Sequence, residues 1–187
     1  VGFPLPGVVV RISDPDTGKQ LDAATDNAGT GVGMIEISGP NVFSGYWRMP
    51  DKSAEDFTDD GFFNTGDKGT IDSDGYVSIV GREKDMIITG GLNVYPKEIE
   101  LIIDEIHGVK ESAVVGVADS DFGEAVIAVI VSDGSTLNEE KITSICKAQL
   151  ANFKVPKRIC FIEDLPRNAM GKIQKNLLRE RFKTELD

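Results

Sequence analysis

Apolar positions fall into two regimes along the chain. Through residue 80 they come in short runs broken by Gly, Pro, Asp and Ser, the pattern of strands and turns. Residues 8–12 predict a strand, Asp14-Pro15-Asp16-Thr17-Gly18 a turn, and 22–31 a polar loop. Met34, Ile35, Glu36 and Ile37 predict a second strand over 33–38, and a short polar helix is expected near 53–57. An aromatic strand at Phe62-Phe63 then runs into Thr65-Gly66-Asp67, and Asp72-Ser73-Asp74-Gly75 turns into a strand over 76–80.

From residue 81 helical spacing joins the pattern. Met86-Ile87-Ile88 predicts a short strand and Gly90-Gly91 a turn. Pro96 suits a first helical turn, where its missing N–H costs nothing. Ile99, Ile102, Ile103 and Ile106 recur at i, i+3, i+4 and i+7, one buried helix face. Val/Ile/Ala-rich strands are expected over 111–117 and 125–131, joined by a turn at 119–124. Thr136-Leu137-Asn138-Glu139 has the form of a capping box. It opens a helix carrying Ile142, Ile145, Cys146, Gln149 and Leu150, which Lys154-Val155-Pro156 closes. A third strand at 158–162 and a basic helix from about Gln174 to Lys183 complete the chain. The fold class is α+β: a partial β-rich subdomain over 1–84, then a small α+β domain over 85–187 with a three-stranded sheet and flanking helices.

With 187 residues, 40% apolar and 27% charged, the composition is that of a globular protein of one or two domains. No run approaches the roughly 18 apolar residues of a membrane span, so no membrane partner is expected. Cys146 and Cys160 fall on predicted core faces and read as reduced structural thiols of a cytoplasmic protein, not as a disulfide or a metal site. His107, the sole histidine, reads as a helix-end residue. There is no signal peptide and no initiator Met, so Val1 is not expected to be the natural start. The formal charge of −11 is uneven: residues 1–146 carry 10 Lys+Arg against 26 Asp+Glu, residues 147–183 carry 10 against 3. The basic tail is a candidate for meeting phosphate groups, although most of its side chains also suit a solvated helix face. Nucleic acid is excluded as a partner by the acidic whole and by basic residues with no aromatics between them.

Three short stretches carry chemistry. Thr65-Gly66-Asp67 places a carboxylate at a tight turn, where it can accept hydrogen bonds from the two vicinal hydroxyls of a ribose; standing alone it would read as a turn cap. Gly90-Gly91 reads as a turn needing positive φ. Lys172 sits at the tip of a loop that Pro166 and Gly171 keep out of regular structure. An ammonium there can bridge an attacking carboxylate and an α-phosphate oxygen as charge shifts between them.

Taken in order, Thr65-Gly66-Asp67, Gly81-Arg82-x-x-Asp85, Gly90-Gly91, Tyr95-Pro96-x-Glu98-Ile99-Glu100 and Leu165-Pro166-x-x-x-x-Gly171-Lys172 resemble the motifs of the adenylate-forming enzymes: acyl-CoA synthetases, luciferases and peptide-synthetase adenylation domains. The resemblance implies use of ATP, Mg2+ and CoA with a small carboxylic acid. It assigns Asp67 to the ribose, Arg82 to the nucleotide, and Asp85 to the hinge about which a C-terminal domain swings between two poses. Gly90 and Gly91 would face the CoA arm in the thioester-forming pose, and Lys172 would be the adenylation lysine. Lysines of this kind are targets of a lysine acetyltransferase and deacetylase, which switch the charge off and on. Gly39-Pro40-Asn41-Val42-Phe43-Ser44-Gly45-Tyr46-Trp47-Arg48-Met49-Pro50 and the phrases around Gly90 and Lys172 are most similar to malonate-activating members, with a fatty- or aryl-acid ligase as the alternative. The family's phosphate loop, its Thr-Glu metal-binding motif and its acid pocket lie upstream of the part resembled here. These 187 residues alone are therefore expected to be inactive and to hold no Mg2+ ligands. A detached nucleotide- or partner-binding domain without turnover is the reading from another class.

Overall fold

The computed structural model describes residues 1–21, 31–134 and 136–183. Apart from Gly31, the predicted loop at 22–31 lies outside them. The chain divides into two compact units, Val1–Lys84 and Asp85–Asp187.

The first unit is an antiparallel sheet of β1 (Val9–Ser13), β2 (Gly33–Ser38), β3 (Phe63–Ile71) and β4 (Val77–Arg82), ordered as in the chain. Its core is small: Ile12, Ile35 and Val77, with Val10, Leu21, Ile37 and Ile71 packed around them. Glu36, between Ile35 and Ile37 on β2, has the opposite facing that strand alternation demands. It is buried there, accepting from Arg11 Nε at 2.6 Å and the Ser13 hydroxyl at 2.7 Å. The same guanidinium donates to both oxygens of Asp60, at 2.5 and 2.9 Å, and lies 3.8 Å over the Phe62 ring. One arginine thus ties β1, β2 and the turn entering β3. Helix α1 (Pro50–Asp56) starts three residues before the predicted 53–57 because Pro50 serves as its first residue. Phe43 packs edge-on against Tyr46, Phe57 and Phe63 at centroid distances of 5.0, 5.4 and 5.1 Å.

The second unit is built on β7 (Val109–Asp119), β8 (Gly123–Ser132) and β9 (Arg158–Ile162), the three strands expected to form its sheet. The sheet nevertheless has five strands, which corrects the three-stranded expectation. A hairpin of β5 (Ile87–Thr89) and β6 (Leu92–Val94) joins it through Thr89 opposite Gly123. Leu92-Asn93-Val94 is too short a run for a period of two to show in sequence. β7 runs antiparallel along one edge of β8, while β5 and the parallel strand β9 share the other. β8 is buried on both faces, and so reads as a continuous apolar run. Val126, Ala128 and Ile130 face a core shared with α2 (Pro96–Asp104) and α3 (Glu139–Gln149), where Ile99, Ile103 and Ile142 are fully buried. Ala125, Ile127, Val129 and Val131 face the opposite core, closed by Leu178 and Phe182 at α4 (Lys175–Arg181).

Two predicted ends shift. The cap of α3 is Asn138, whose side chain accepts from the Lys141 N–H at 2.9 Å, not Thr136 of the capping-box pattern. Asn is as good an N-cap as Ser or Thr and stands nearer the helix. α4 is shorter than 174–183, with Gln174 and Phe182 as its flanking residues. Cys146 is buried in the first core, which pushes its thiol pKa up; Cys160 is half-buried on the opposite face, and no disulfide joins the two. His107 lies exposed in the turn that follows α2.

Candidate functional site

In the first unit Asp67 and Arg82 stand directly opposite each other on β3 and β4, with Arg82 Nε 3.0 Å from Asp67 Oδ1. Gly66 before them takes φ 72°, a conformation glycine adopts freely, and a β-bulge follows at Lys68/Gly69. Turn and bulge together set the aim of the intervening carboxylate. Thr65 fixes the turn from within: its hydroxyl donates to the Ile35 carbonyl at 2.8 Å and accepts the Asp67 N–H at 3.2 Å. Asp67 and Thr65 border a mostly apolar cleft of about 220 Å³, with Val10, Ile37, Val77 and Ile79 among its walls. The structure therefore brings the two residues assigned to the nucleotide together, with Asp67 bordering a cavity. Sequence alone does not show that they pair.

The second unit opens at Asp85, the last residue of a short 3-10 turn, Glu83–Asp85. Its carboxylate accepts from Arg179 Nη2 on α4 at 2.8 Å. Gly90 and Gly91 take φ 57° and 78° and form the two-residue loop of the β5–β6 hairpin, with Thr89 paired to Leu92 across it. Positive φ at both central positions defines the type I′ turn that best fits strand twist. The turn requirement foreseen for these glycines holds. A cleft of about 420 Å³ opens beside Gly90, lined by Leu92, Phe122, Asn152, Phe153 and Lys157 among others. Lys157 Nζ sits 4.0 Å over the Phe122 ring and 2.9 Å from Asp119. That contact, with the Phe122 and Asp121 amides, lowers the Asp119 pKa.

Lys172 closes a short, well-braced turn. The Asn168 side chain accepts the N–H groups of Met170 and Lys172, each at 3.0 Å. The Asn168 N–H donates to the Lys172 carbonyl at 2.9 Å, and Gly171 takes φ 78°. Arg167 donates to the Gly171 carbonyl at 2.7 Å and pairs with Glu111 of β7. The Gln174 N–H closes the base of the loop on the Pro166 carbonyl at 2.8 Å. Lys172 itself is exposed, and its ammonium meets no carboxylate among the described residues. A braced backbone thus presents a charge unpaired among the described residues.

Five cations of the basic tail are engaged in ion pairs within the second unit. Lys154, Lys157, Arg167, Lys175 and Arg179 pair with Glu98, Asp119, Glu111, Glu100 and Asp85 respectively. These pairs stitch the end of the chain to acidic residues upstream in the same unit. Glu100 is the most deeply set: 9% exposed, it accepts from the Val114 N–H at 2.9 Å and from Lys175 Nζ at 2.6 Å. Glu100, Lys175 and Arg179 were not foreseen as site-supporting residues, since nothing local marks partners 75 or 94 positions apart. Asn168 was legible in principle: Asn three residues before Gly is a turn signal. Among the described residues no three His, Cys, Asp or Glu side chains group as a cation site, and no helix is long and apolar enough to cross a membrane.

Residues 98–172, from α2 through the tip lysine, match the family model of the AMP-binding enzyme C-terminal domain. Over these residues the chain carries the AMP-binding enzyme C-terminal domain, and the relatives it matches include acyl-CoA ligases. It is 44% identical over 152 residues to the long-chain-fatty-acid–CoA ligase FadD13 of Mycobacterium tuberculosis, covering 81% of this chain and 30% of that protein. It is 36% identical over 197 residues to the malonate–CoA ligase of Arabidopsis thaliana, covering 99% of this chain and 31% of that protein. The crystal structure of ATP-bound MatB from Rhodopseudomonas palustris matches with a TM-score of 0.91 at 56% identity, over all of this chain and 36% of that one. The chain thus spans about a third of the length of the relatives it matches.

Proposed function

We propose that this chain works as part of an acid–CoA ligase, with residues 85–187 as its swinging C-terminal domain and 1–84 as the end of its larger domain. The reaction runs in two steps: a carboxylate attacks the α-phosphate of ATP to give an acyl-adenylate and pyrophosphate, then CoA sulfur displaces AMP to give the thioester. Asp67 keeps a carboxylate oxygen outside its Arg82 contact for the ribose hydroxyls, and Arg82 steadies that carboxylate while its exposed end meets the nucleotide. Lys172 supplies positive charge to the α-phosphate oxygen and the attacking carboxylate as negative charge moves between them. The observation that carries the reading is the Lys172 ammonium, unpaired among the described residues, on a braced loop that ends the matched stretch.

Rotation about Asp85 then exchanges Lys172 for the Gly90-Gly91 turn, whose bare backbone leaves room for the CoA arm. No step is assigned to a metal held by this chain; Mg2+ would travel with ATP. The exposed Lys172 is also open to an acetyltransferase, and acetylation would remove the charge that adenylation uses.

For the acid we propose malonate, on the residue phrases around Gly45, Gly90 and Lys172. A long-chain fatty acid is the second reading, favoured by the 44% identity to the Mycobacterium ligase. ATP- and CoA-dependent AMP release by the full-length protein with malonate, methylmalonate, acetate and octanoate separates them. Malonate preference is the expected result; octanoate preference would keep the mechanism and discard the substrate. Silence with every acid would reduce the chain to a binding module.

A further inference from the structure

Helix α4 is held at two points one turn apart. Near its start Lys175 reaches the buried Glu100 of α2 at 2.6 Å, and four residues on Arg179 reaches Asp85 at 2.8 Å. Four residues of helix rise about 6 Å, so both cations lie on one face. Between them Leu178, 1% exposed, fixes the rotation of the helix in the core. The Lys172 loop ends at the base of this same helix, closed by the Gln174–Pro166 hydrogen bond. The chain passes from one unit to the other between Lys84 and Asp85. The carboxylate at that crossing is therefore bound to the helix that carries the lysine loop.

We infer that Arg179 is a positioning residue for adenylation. It clamps the Asp85 side chain to the second unit, so that rotation between poses falls on the torsions N-terminal to the Asp85 side chain, and the swing delivers Lys172 along a defined arc. Without the clamp, Asp85 turns independently of α4, the pivot shifts by a residue, and the lysine arrives misaimed. This rests on the reading of Asp85 as a hinge and Lys172 as the adenylation lysine. Arg179 touches no substrate in this scheme; it acts through Asp85. The contact that defines the clamp runs from Arg179 Nη2 to Asp85 Oδ1, and a lysine ammonium at position 179 can donate to the same oxygen.

The test uses the full-length protein with Arg179→Gln, Arg179→Lys, Asp85→Asn and the Gln/Asn double variant. Carboxylate-dependent ATP–pyrophosphate exchange in Arg179→Gln should fall on the order of a hundredfold in kcat, the usual effect of misplacing a reacting group by about 1 Å. KM for ATP should change less than about twofold, since Asp67 and Arg82 are untouched. Arg179→Lys should recover most of the loss, and the double variant should lose no more than either single, as partners in one contact do. Unchanged exchange in Arg179→Gln, or losses that multiply in the double variant, would overturn the inference. Trypsin cleavage after the exposed Lys84 reads the clamp without any activity: it should quicken in Arg179→Gln and return toward wild type in Arg179→Lys. If the wild type shows no exchange with any acid, the ligase reading fails and trypsin alone decides, an unchanged rate overturning the clamp.

Discussion

Arg11 shows how much one half-buried cation can organise. Its guanidinium joins Glu36, Asp60 and the Phe62 face, and so seats the turn that leads into Thr65-Gly66-Asp67. The Arg11 hydrogen bonds, helped by the Thr58 hydroxyl, lower the Asp60 pKa from 3.8 to about 2. A carboxylate with a depressed pKa in the folded state contributes stability that is complete above its unfolded value and is lost as pH falls through the folded one. Urea unfolding should therefore show stability declining between pH 3.8 and about 2, a decline that Arg11→Met flattens. At neutral pH the same substitution should cost about 3 kcal/mol, because buried Glu36 loses its cation. An unchanged urea midpoint at pH 7 would count against that role. At this scale sequence and structure part company for a plain reason. Lys172 is legible because Pro166 and Gly171 bracket it within a few residues. The Arg11–Asp60 and Lys175–Glu100 contacts join residues 49 and 75 positions apart, and no local pattern encodes such pairs.

Among the elements, the β5–β6 hairpin most repays attention, because its two glycines answer to both fold and proposed function. A Cβ on Gly91 would meet no atom within 4 Å, whereas one on Gly90 would lie 3.4 Å from the Phe122 ring. Gly91→Ala therefore isolates the backbone cost of a left-handed residue, and should lower stability by about 1 to 2 kcal/mol in chemical denaturation. Gly91→Asn should cost less, since Asn tolerates that conformation. Equal losses for the two would show that the turn gives way to another geometry. The turn was legible from Gly90-Gly91, but β6 was not: three residues leading into Pro96 look like the approach to a helix. The long strands β7 and β8 were legible because two-sided burial leaves uninterrupted Val/Ile/Ala runs. α3 was legible from its 3.6-residue spacing, though its cap fell two residues beyond the expected Thr136.

Over the whole molecule the charge asymmetry finds its explanation inside the second unit. An acidic upstream stretch and a basic tail are partners within one domain, and Lys172 is an exposed cation that this stitching leaves over. Composition alone does not separate the tail cations that the fold pairs internally from Lys172, the one proposed to meet a phosphate. The family was legible from five short motifs in order, and its C-terminal domain is matched over residues 98–172. The acid was not, since the resemblance puts the pocket that selects it upstream of these residues. The central claim is that Lys172 serves the first half-reaction and not the second. Lys172→Ala in the full-length protein, given its preferred acid, should cut ATP–pyrophosphate exchange on the order of a thousandfold, the scale of removing one preorganised charge-stabilising group. Thioester formation from preformed acyl-adenylate should stay within about threefold of wild type, because Lys172 stabilises no charge in that step. Retained exchange, or an equal loss in both half-reactions, would contradict the account.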